Sequence, residues 1–400
     1  MCIRDSSHPI TENSKLYFNY GHFKQLPTYE QMFRMSRGGY NELRNVGDPN
    51  LALAKTISYE LGFDHSLYDT YLIQVAAFYN DISDQQAVVR YISADGSINY
   101  AKATNSSYED VRGFEATFKK IAGRWWTGFI NYTYRVSTLG HFGRAEIYQD
   151  PSAQAEYDRN TQHLYQERPI PQPYARANLF FYTPPNYGPE FMGSHFLGNW
   201  KLNIIGEWKA GWWTTWNPNK DLAVSQNLQV KDWYNLRLRL TKTFSFKKMK
   251  VSFFIDMDNV LNTKRLSLNS FYDANDYLDY FNSLHLPKST AYNNIVGHDR
   301  AGEYRKDGVP FQPIEQVGNV TTLTNPNPKV IYYENTTGKY MNYVNGDWLE
   351  VNSSRMKKIL DDKAYINMPN QSSFNFLNPV SYTHLRAHET SLHLVCRLLL

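Results

Sequence analysis

The stretch from residue 108 to residue 136, YEDVRGFEATFKKIAGRWWTGFINYTYRV, has the clearest repeating pattern in this 400-residue sequence. Apolar side chains recur at every second position on both sides of its centre, at Phe114, Ala116, Phe118, Trp126, Ile130, Tyr132 and Tyr134. A period of two is that of a β-strand, whose successive side chains point to opposite faces. The pattern predicts two antiparallel strands and a turn at residues 120–123. Such a hairpin fits a soluble core or the wall of a membrane barrel, which faces lipid on one side and water on the other.

The same alternation recurs along the chain and predicts nine strands. They lie at residues 14–23, 55–66, 71–93, 97–119, 126–136, 173–183, 198–212, 233–246 and 251–257. Asp95-Gly96 predicts a type I′ turn between the third and fourth strands. Residues 263–371 show no sustained period and are predicted to be loop, apart from short β-like runs such as 329–333. Residues 372–379 are expected to begin a tenth strand.

The lengths of the connections follow a rule. Short turns follow the second, fourth and eighth strands, and a moderate connection follows the sixth. Long stretches at 24–54, 139–172, 213–230 and 263–371 fall at the other end of the strands, where the tight turn at Asp95-Gly96 is the exception. This asymmetry is typical of an outer-membrane barrel with short periplasmic turns and long external loops. The third and fourth strands exceed the roughly 9–11 residues that cross a bilayer and are expected to project beyond it.

Composition agrees with a β-barrel. Aromatic residues make up 16% of the chain, with 31 tyrosines, while the mean hydropathy is only −0.57. The sequence has no run of 18 apolar residues, which a transmembrane helix requires. Acidic and basic residues are interspersed, so no basic surface for nucleic acid is predicted.

The two ends of the sequence share one nucleotide origin in our interpretation. MCIRDS at residues 1–6 and VSYTH at residues 380–384 back-translate to complementary strands of one short string, which resembles the transposon-end adapter used in DNA sequencing. Residues 1–6 and 380–400 are therefore interpreted as adapter-derived, and residues 7–379 as the native segment. Both cysteines, Cys2 and Cys396, lie in these ends, so no disulfide, thiolate metal site or cysteine nucleophile is expected. The ends carry one net positive charge, so the formal +4 becomes +3 for residues 7–379.

No catalytic motif, cofactor site or metal site is predicted. There is neither G-x-S-x-G nor a P-loop, and the eight native histidines lack H-E-x-x-H or H-x-H spacing: His8, His22, His65, His141, His163, His195, His285 and His298. Asp273, Asp276 and Asp279 have a spacing that suits calcium. The EF-hand glycine and distal glutamate are missing, which favours a solvated loop.

Ligand-binding residues are not individually predicted. The tryptophans at 208, 212, 213 and 216 fit an aromatic girdle at the membrane interface better than a stacking platform for ligand. Five charged residues are expected to line the lumen: Arg176, Lys201, Glu207, Arg237 and Arg239. Because recognition is usually displayed on loops, residues 139–172 and 263–371 are the candidate ligand contacts.

Three motifs resemble the C-terminal part of TonB-dependent outer-membrane receptors. DPNL at 48–51 with SYELG at 58–62 resembles the family segment that leads into a barrel strand, VRGFE at 111–115 a strand motif, and DMDNVLN at 256–262 a motif near the last strands. Leu53 and Ala54 depart from the usual Pro-Glu, and Val260-Leu261 from Leu-Phe. The resemblance implies an all-β fold, about the last ten strands of a 22-stranded transmembrane barrel.

The resemblance also implies a function. It implies a receptor in the outer membrane, in contact with its lipid, that binds a scarce extracellular ligand and imports it with energy delivered by TonB through an N-terminal plug region missing here. Siderophore, vitamin, oligosaccharide and peptide all stay open as the ligand. A passive porin-like barrel and a secreted β-rich carbohydrate-binding or hydrolytic protein are the alternatives.

Overall fold

The computed structural model describes residues 2–160, 169–191, 194–221, 224–245, 249–268, 271–369, 374–376 and 388–391. The chain divides into two compact units. The first unit comprises Met1–Ala210, Tyr234–Val260 and Val380–Leu400, and the second comprises Gly211–Trp233 and Leu261–Pro379.

The first unit is built on an up-and-down antiparallel sheet. Ten strands follow one another in chain order: β1 (Cys2–Thr11), β2 (Ser14–Gln25), β3 (Ala54–Leu67), β4 (Tyr71–Ile92), β5 (Asn99–Lys120), β6 (Trp126–His141), β7 (Tyr174–Tyr182), β8 (Trp200–Lys209), β9 (Trp233–Ser245) and β10 (Met249–Met257). The segment His388–Ser391 pairs with β10 at Met249–Ser252. All nine predicted strands are present, as β2–β10, and one more strand precedes them.

The register confirms the alternation on which the hairpin prediction depends. Phe114 of β5 lies opposite Tyr134 of β6, and Phe118 lies opposite Ile130. Residues directly opposite each other in an antiparallel pair project to the same face. The apolar residues of the hairpin therefore share one face, as predicted.

The turn between β4 and β5 differs from the prediction. A type I′ turn needs positive φ at both central residues, but among residues 93–98 only Gly96 has it, at +71°. The connection is longer than two residues, because the backbone N–H of Ser93 donates to the carbonyl of Ile98. The backbone of Asp95 does not have a positive φ, and its side chain accepts a hydrogen bond from the N–H of Ser97.

Two stretches predicted as loops contain short elements that extend the sheet. Residues 24–54 form α1 (Tyr29–Phe33) and the strands Met35–Arg37 and Leu43–Val46, of which the second pairs with β5. Within residues 139–172, Glu146–Tyr148 pairs with β4, α2 spans Pro151–Asn160, and Ile170–Pro171 pairs with β6. The short pair Glu190–Phe191 and Ser194–His195 lies between β7 and β8. The hairpin of β4 and β5 thus pairs with segments of two neighbouring connections, which the sequence period did not indicate.

The second unit contradicts the prediction of a structureless loop at 263–371. It contains α3 (Ala274–Ser283), a 3-10 turn at Val320–Thr322, α4 (Ser353–Asp361) and a four-stranded sheet of β11 (Ile314–Val317), β12 (Ile331–Glu334), β13 (Lys339–Val344) and β14 (Asp347–Glu350). β11 and β12 are parallel, and the remaining pairs are antiparallel. The predicted run at 329–333 corresponds to β12.

Two further pairs of short strands belong to the second unit. Trp213–Thr214 pairs with Leu228–Gln229, and Lys264–Leu266 pairs with Phe374–Phe376. Residues 374–376, which were expected to start a tenth barrel strand, therefore pair inside this unit. The rest of 372–379 lies outside the described residues.

Both main helices of the second unit begin at side-chain caps. The carboxylate of Asp273 accepts from the N–H of Asp276 at α3, and the amide of Asn352 accepts from the N–H groups of Ser354 and Arg355 at α4. Such caps satisfy backbone donors that the first turn of a helix leaves free. The helices then bury Tyr280, Phe281, Met356 and Ile359 in one hydrophobic core. No helix in the described ranges combines the length and the apolarity that crossing a membrane requires.

Candidate functional site

The sheet of the first unit has one apolar face that is open rather than covered. Large apolar side chains on this face, each between 37% and 50% exposed, run from β2 to β10: Leu16, Phe18, Tyr59, Leu61, Val75, Tyr79, Phe114, Phe118, Ile130, Phe181, Phe253, Ile255 and Met257. Apolar patches of this extent are rare on water-exposed surfaces and mark contact with a membrane or a partner. The outward face of a membrane barrel has this composition.

The opposite face carries paired charges. The Glu207 carboxylate accepts a hydrogen bond of 2.8 Å from Arg237 and lies 3.5 Å from the guanidinium of Arg176. Arg239 and Asp256 form a two-point ion pair. Four of the five residues predicted to line the lumen therefore share this polar face and neutralise one another or nearby acids. Lys201 lies at the end of β8, opposite Tyr182.

Amides and hydroxyls connect the same face between the charged pairs. The side chain of Asn131 donates to Thr117 at 2.7 Å, and that of Asn203 donates to Asn178 at 2.6 Å. Cross-strand pairs of this kind hold register without apolar contacts. The polar face is thus a hydrogen-bonded surface that is compatible with contact with water.

The four tryptophans predicted to act together are divided between the two units. Trp208 stacks with Tyr132, with ring centroids 6.4 Å apart, on the apolar face of the sheet. Trp216 is only 2% exposed in the second unit, where it stacks on Phe281 at 4.9 Å and donates its indole N–H to Asn294. The girdle prediction is wrong for Trp216, which is a core residue.

The aspartates considered for calcium do not form a solvated loop either. Asp273 is the N-cap of α3, and Asp276 is buried and accepts from the N–H of Tyr272 at 3.1 Å. Asp279 lies within the helix. Among the residues that the structure describes, no group of three or more His, Cys, Asp or Glu side chains suits a metal ion. The DANDYLDYF segment is therefore a capped helix.

A buried polar cluster around Asp299 is the densest electrostatic feature of the second unit. Asp299 is 5% exposed, and its carboxylate accepts from the N–H of His285 at 2.8 Å, the hydroxyl of Tyr365 at 2.8 Å and the ammonium of Lys363 at 2.6 Å. Glu303 lies 3.3 Å from the same ammonium. The buried carboxylate thus accepts hydrogen bonds from three donors, which lowers the cost of burying its charge.

The ionisation of this cluster follows from burial and from Asp299. Burial lowers the pKa of His285 to about 4, and the Nε2 atom of its ring has no hydrogen-bond partner. Burial, with the adjacent Asp299 carboxylate, raises the pKa of Tyr365. Burial disfavours the charge on Lys363, but the Asp299 hydrogen bond and charge outweigh it, and its pKa is raised. At neutral pH the cluster holds a neutral imidazole, a neutral phenol and an ion pair.

Sequence patterns did not indicate this cluster. Its members are spread over residues 285–365 and form no motif. The only local signal is Asp299 following His298 in a polar stretch, which is common in loops. Three other histidine rings form hydrogen bonds. His65 pairs with the hydroxyl of Ser14, His141 with the hydroxyl of Ser106, and His195 with the carbonyl of Gly188.

The candidate ligand-contact stretches contain ordered structure where described. In residues 139–172, Arg144 makes a two-point ion pair with Asp158 of α2, at 2.7 and 3.0 Å. Residues 161–168 of this stretch lie outside the described residues. Residues 263–371 belong to the second unit and include the Asp299 cluster.

An antiparallel sheet with one open apolar face and one charge-paired polar face is typical of the wall of a membrane β-barrel. A sequence model of the family described as "TonB dependent receptor-like, beta-barrel" matches residues 7–260. The chain belongs to this family, whose members are receptors of the outer membrane that work with TonB. Receptors and transporters of this kind are not enzymes.

Several solved structures are similar in fold. The FrpB iron transporter from Neisseria meningitidis shares 12% identity and a TM-score of 0.40 over 66% of this chain and 35% of its own. The outer membrane transporter YddB from Escherichia coli shares 9% identity and a TM-score of 0.43 over 65% and 36%. For the siderophore receptor PirA from Pseudomonas aeruginosa the values are 11% and 0.38 over 65% and 38%.

The matched region spans little more than a third of the length of these three proteins. No curated protein sequence matches the chain.

Proposed function

We propose that this chain is the C-terminal barrel part of an outer-membrane receptor that binds a scarce extracellular ligand and imports it into the periplasm with energy delivered through TonB. One observation carries the proposal: a continuous sheet with opposite apolar and charge-paired faces, in a region that matches the receptor family. The ligand is moved without chemical change. A siderophore, a vitamin, an oligosaccharide or a peptide is the ligand class.

Ligand contact resides in residues 139–172 and 263–371 in this proposal. Binding residues are commonly displayed on segments between the strands of a rigid scaffold. The hydrophobic core of the second unit supports this assignment, because a folded segment holds side chains in fixed positions at lower entropic cost than a flexible loop. In this proposal TonB acts through an N-terminal plug region.

Energy-coupled uptake distinguishes this receptor from a passive barrel. Cells that produce the full-length protein are incubated with four labelled probes: an iron–siderophore complex, cobalamin, an oligosaccharide and a peptide. The expected result is saturable uptake of one probe that stops when a protonophore collapses the membrane potential, while binding to the cell surface persists. Uptake that is unaffected by the protonophore indicates a porin-like barrel.

Two further observations test the proposal independently of the ligand. Coding sequence upstream of residue 7 should encode a plug domain, and its absence overturns the transporter assignment. Purification should require detergent. A monomer that stays in solution without detergent instead supports a secreted β-rich protein.

We also propose that residues 1–6 and 380–400 derive from sequencing adapter. In the structure Cys2–Thr11 pairs with β2, and His388–Ser391 pairs with β10. The unpaired backbone N–H and C=O groups of an edge strand can pair with almost any extended segment. The pairing of these ends is therefore compatible with an origin in adapter sequence. Amplification of the genomic locus across residues 7 and 379 tests it, since the native sequence should differ from MCIRDS and VSYTH.

A further inference from the structure

An apolar cleft interrupts the open apolar face of the first unit between β5, β6 and β7. Its volume is about 270 Å³, and its lining is almost entirely apolar: Phe118, Trp126, Gly128, Phe129, Ile130, Leu179 and Phe181. Six of these seven residues lie on the apolar face, and Phe129 alternates to the polar face. The cleft therefore belongs mainly to the apolar face of the sheet.

The cleft exists because residue 128 has no side chain. Gly128 has a φ of +146°, and a Cβ atom there would lie 2.2 Å from the carbonyl oxygen of Asn178. Strands β6 and β7 approach each other too closely at this point for any residue larger than glycine. Position 128 therefore leaves a gap on the apolar face between the side chains of Trp126 and Ile130. The rings of Trp126 and Phe181 stack with centroids 6.4 Å apart and form one wall.

Positive charge is concentrated at the turn end of the same cleft. The ammonium of Lys120 lies 4.2 Å from the ring centroid of Trp126 and 5.3 Å from that of Tyr71. The guanidinium of Arg124 lies 5.6 Å from the ring centroid of Trp125. Residues 118–126, FKKIAGRWW, contain three cations and no acid.

The two rings hold the ammonium of Lys120 at the mouth of the cleft. Cation–π contacts fix the position of an ammonium without neutralising its charge. No carboxylate of the described residues forms an ion pair with Lys120. This charge is therefore available to a phosphate at the membrane surface.

We propose that the cleft is a binding site for an anionic phospholipid, with an acyl chain between Ile130 and Phe181 and the headgroup phosphate at Lys120. Apolar burial holds the chain, and the ammonium selects the charge of the headgroup. Trp126 both lines the cleft and contacts Lys120, and aromatic rings of this kind are favoured at membrane interfaces. The proposal depends on the location in the membrane and is independent of ligand import.

Quenching of Trp126 fluorescence by brominated lipid tests the site. The full-length protein is reconstituted in vesicles of phosphatidylcholine that contain increasing fractions of phosphatidylglycerol or phosphatidylcholine with brominated acyl chains. The contribution of Trp126 is the difference between the parent protein and its Trp126→Phe variant. We expect phosphatidylglycerol to reach half-maximal quenching at an approximately fivefold lower fraction, the effect of one basic residue near an anionic surface.

Matched variants separate this site from ordinary lipid contact. Lys120→Gln should abolish the preference for phosphatidylglycerol, while Lys119→Gln, which removes the same charge from the neighbouring polar-face position, should leave it unchanged. Leu179→Phe fills the cleft and should weaken quenching by both lipids. Equal quenching by the two lipids in the parent, or a preference that survives Lys120→Gln, overturns the proposal.

Discussion

The imidazole ring of His285 lies parallel to the phenol ring of Tyr365, with centroids 3.9 Å apart and an angle of 5° between the planes. Asp299 connects the two residues, because its carboxylate accepts from the backbone N–H of His285 and from the hydroxyl of Tyr365. An aromatic stack and a buried carboxylate thus hold together segments about 80 residues apart in the chain.

Asp299→Asn should destabilise the second unit by about 3 kcal/mol, since it removes the buried charge that accepts hydrogen bonds from His285, Lys363 and Tyr365. Amide hydrogen exchange of residues 274–283 and 353–361 in the purified protein measures the change. Asp347→Asn is the matched control, because Asp347 is exposed on β14. The amide hydrogens of this variant should exchange at the same rates as those of the parent protein. Equal exchange in the two variants would show that the cluster contributes little.

The second unit should lose stability as the pH falls from about 6.5 to about 4. Burial keeps the pKa of His285 near 4 in the folded state, below its ordinary value of 6.5, so the unfolded state binds a proton first. The stability that the neutral imidazole supports is complete above pH 6.5 and decreases by at most about 1.4 kcal/mol per pH unit below it. Hydrogen exchange corrected for its intrinsic pH dependence measures this slope.

Two histidine variants assign the slope to one residue. His285→Phe keeps a ring against Tyr365 but cannot bind a proton. The slope of unfolding free energy against pH between pH 6.5 and 4 should therefore decrease by an amount equivalent to at most one proton. His298→Phe changes an exposed histidine and should keep the slope of the parent. A slope unchanged by His285→Phe would contradict the assignment.

Neighbouring residues 130 and 131 should report opposite environments. Ile130 is 50% exposed on the apolar face, whereas Asn131 donates a hydrogen bond to Thr117 on the polar face. Spin labels on Ile130→Cys and Asn131→Cys in the membrane-inserted protein are compared by collision with oxygen and with a water-soluble nickel complex. The label at 130 should collide preferentially with oxygen and that at 131 with nickel. A water-exposed label at 130 would overturn the lipid-facing assignment.

Gly128→Ala should impair assembly of the sheet, because the new Cβ atom would lie 2.2 Å from the carbonyl oxygen of Asn178 and the backbone has a φ of +146°. A cost of a few kcal/mol is expected from such a position. Gly206→Ala is the control, since its Cβ atom would find no heavy atom closer than 3.9 Å. The amount of folded protein in isolated outer membranes, measured by its heat-dependent electrophoretic mobility, should fall only for the first variant.

The alternation of residues was enough to predict the strands of the first unit and their two faces. Side chains alternate between faces at every residue of a strand, so Phe114, Phe118 and Ile130 could be assigned to one side from local order alone. The membrane environment makes this signal strong, because lipid and water select opposite residues on the two faces. The positions of β2–β10 needed no knowledge of distant contacts.

Only the tertiary structure revealed the second unit and the site around Asp299. Its helices are ten and nine residues long, and its core is formed by segments far apart in the sequence, so no window of residues carries a period. In the sequence, Trp216 belongs to an aromatic stripe. In the structure, its contact with Phe281 shows that it is part of the core of the second unit. The cleft beside Gly128 likewise depends on the approach of a neighbouring strand. Local alternation determines a strand, whereas burial and charge pairing depend on which distant residues meet.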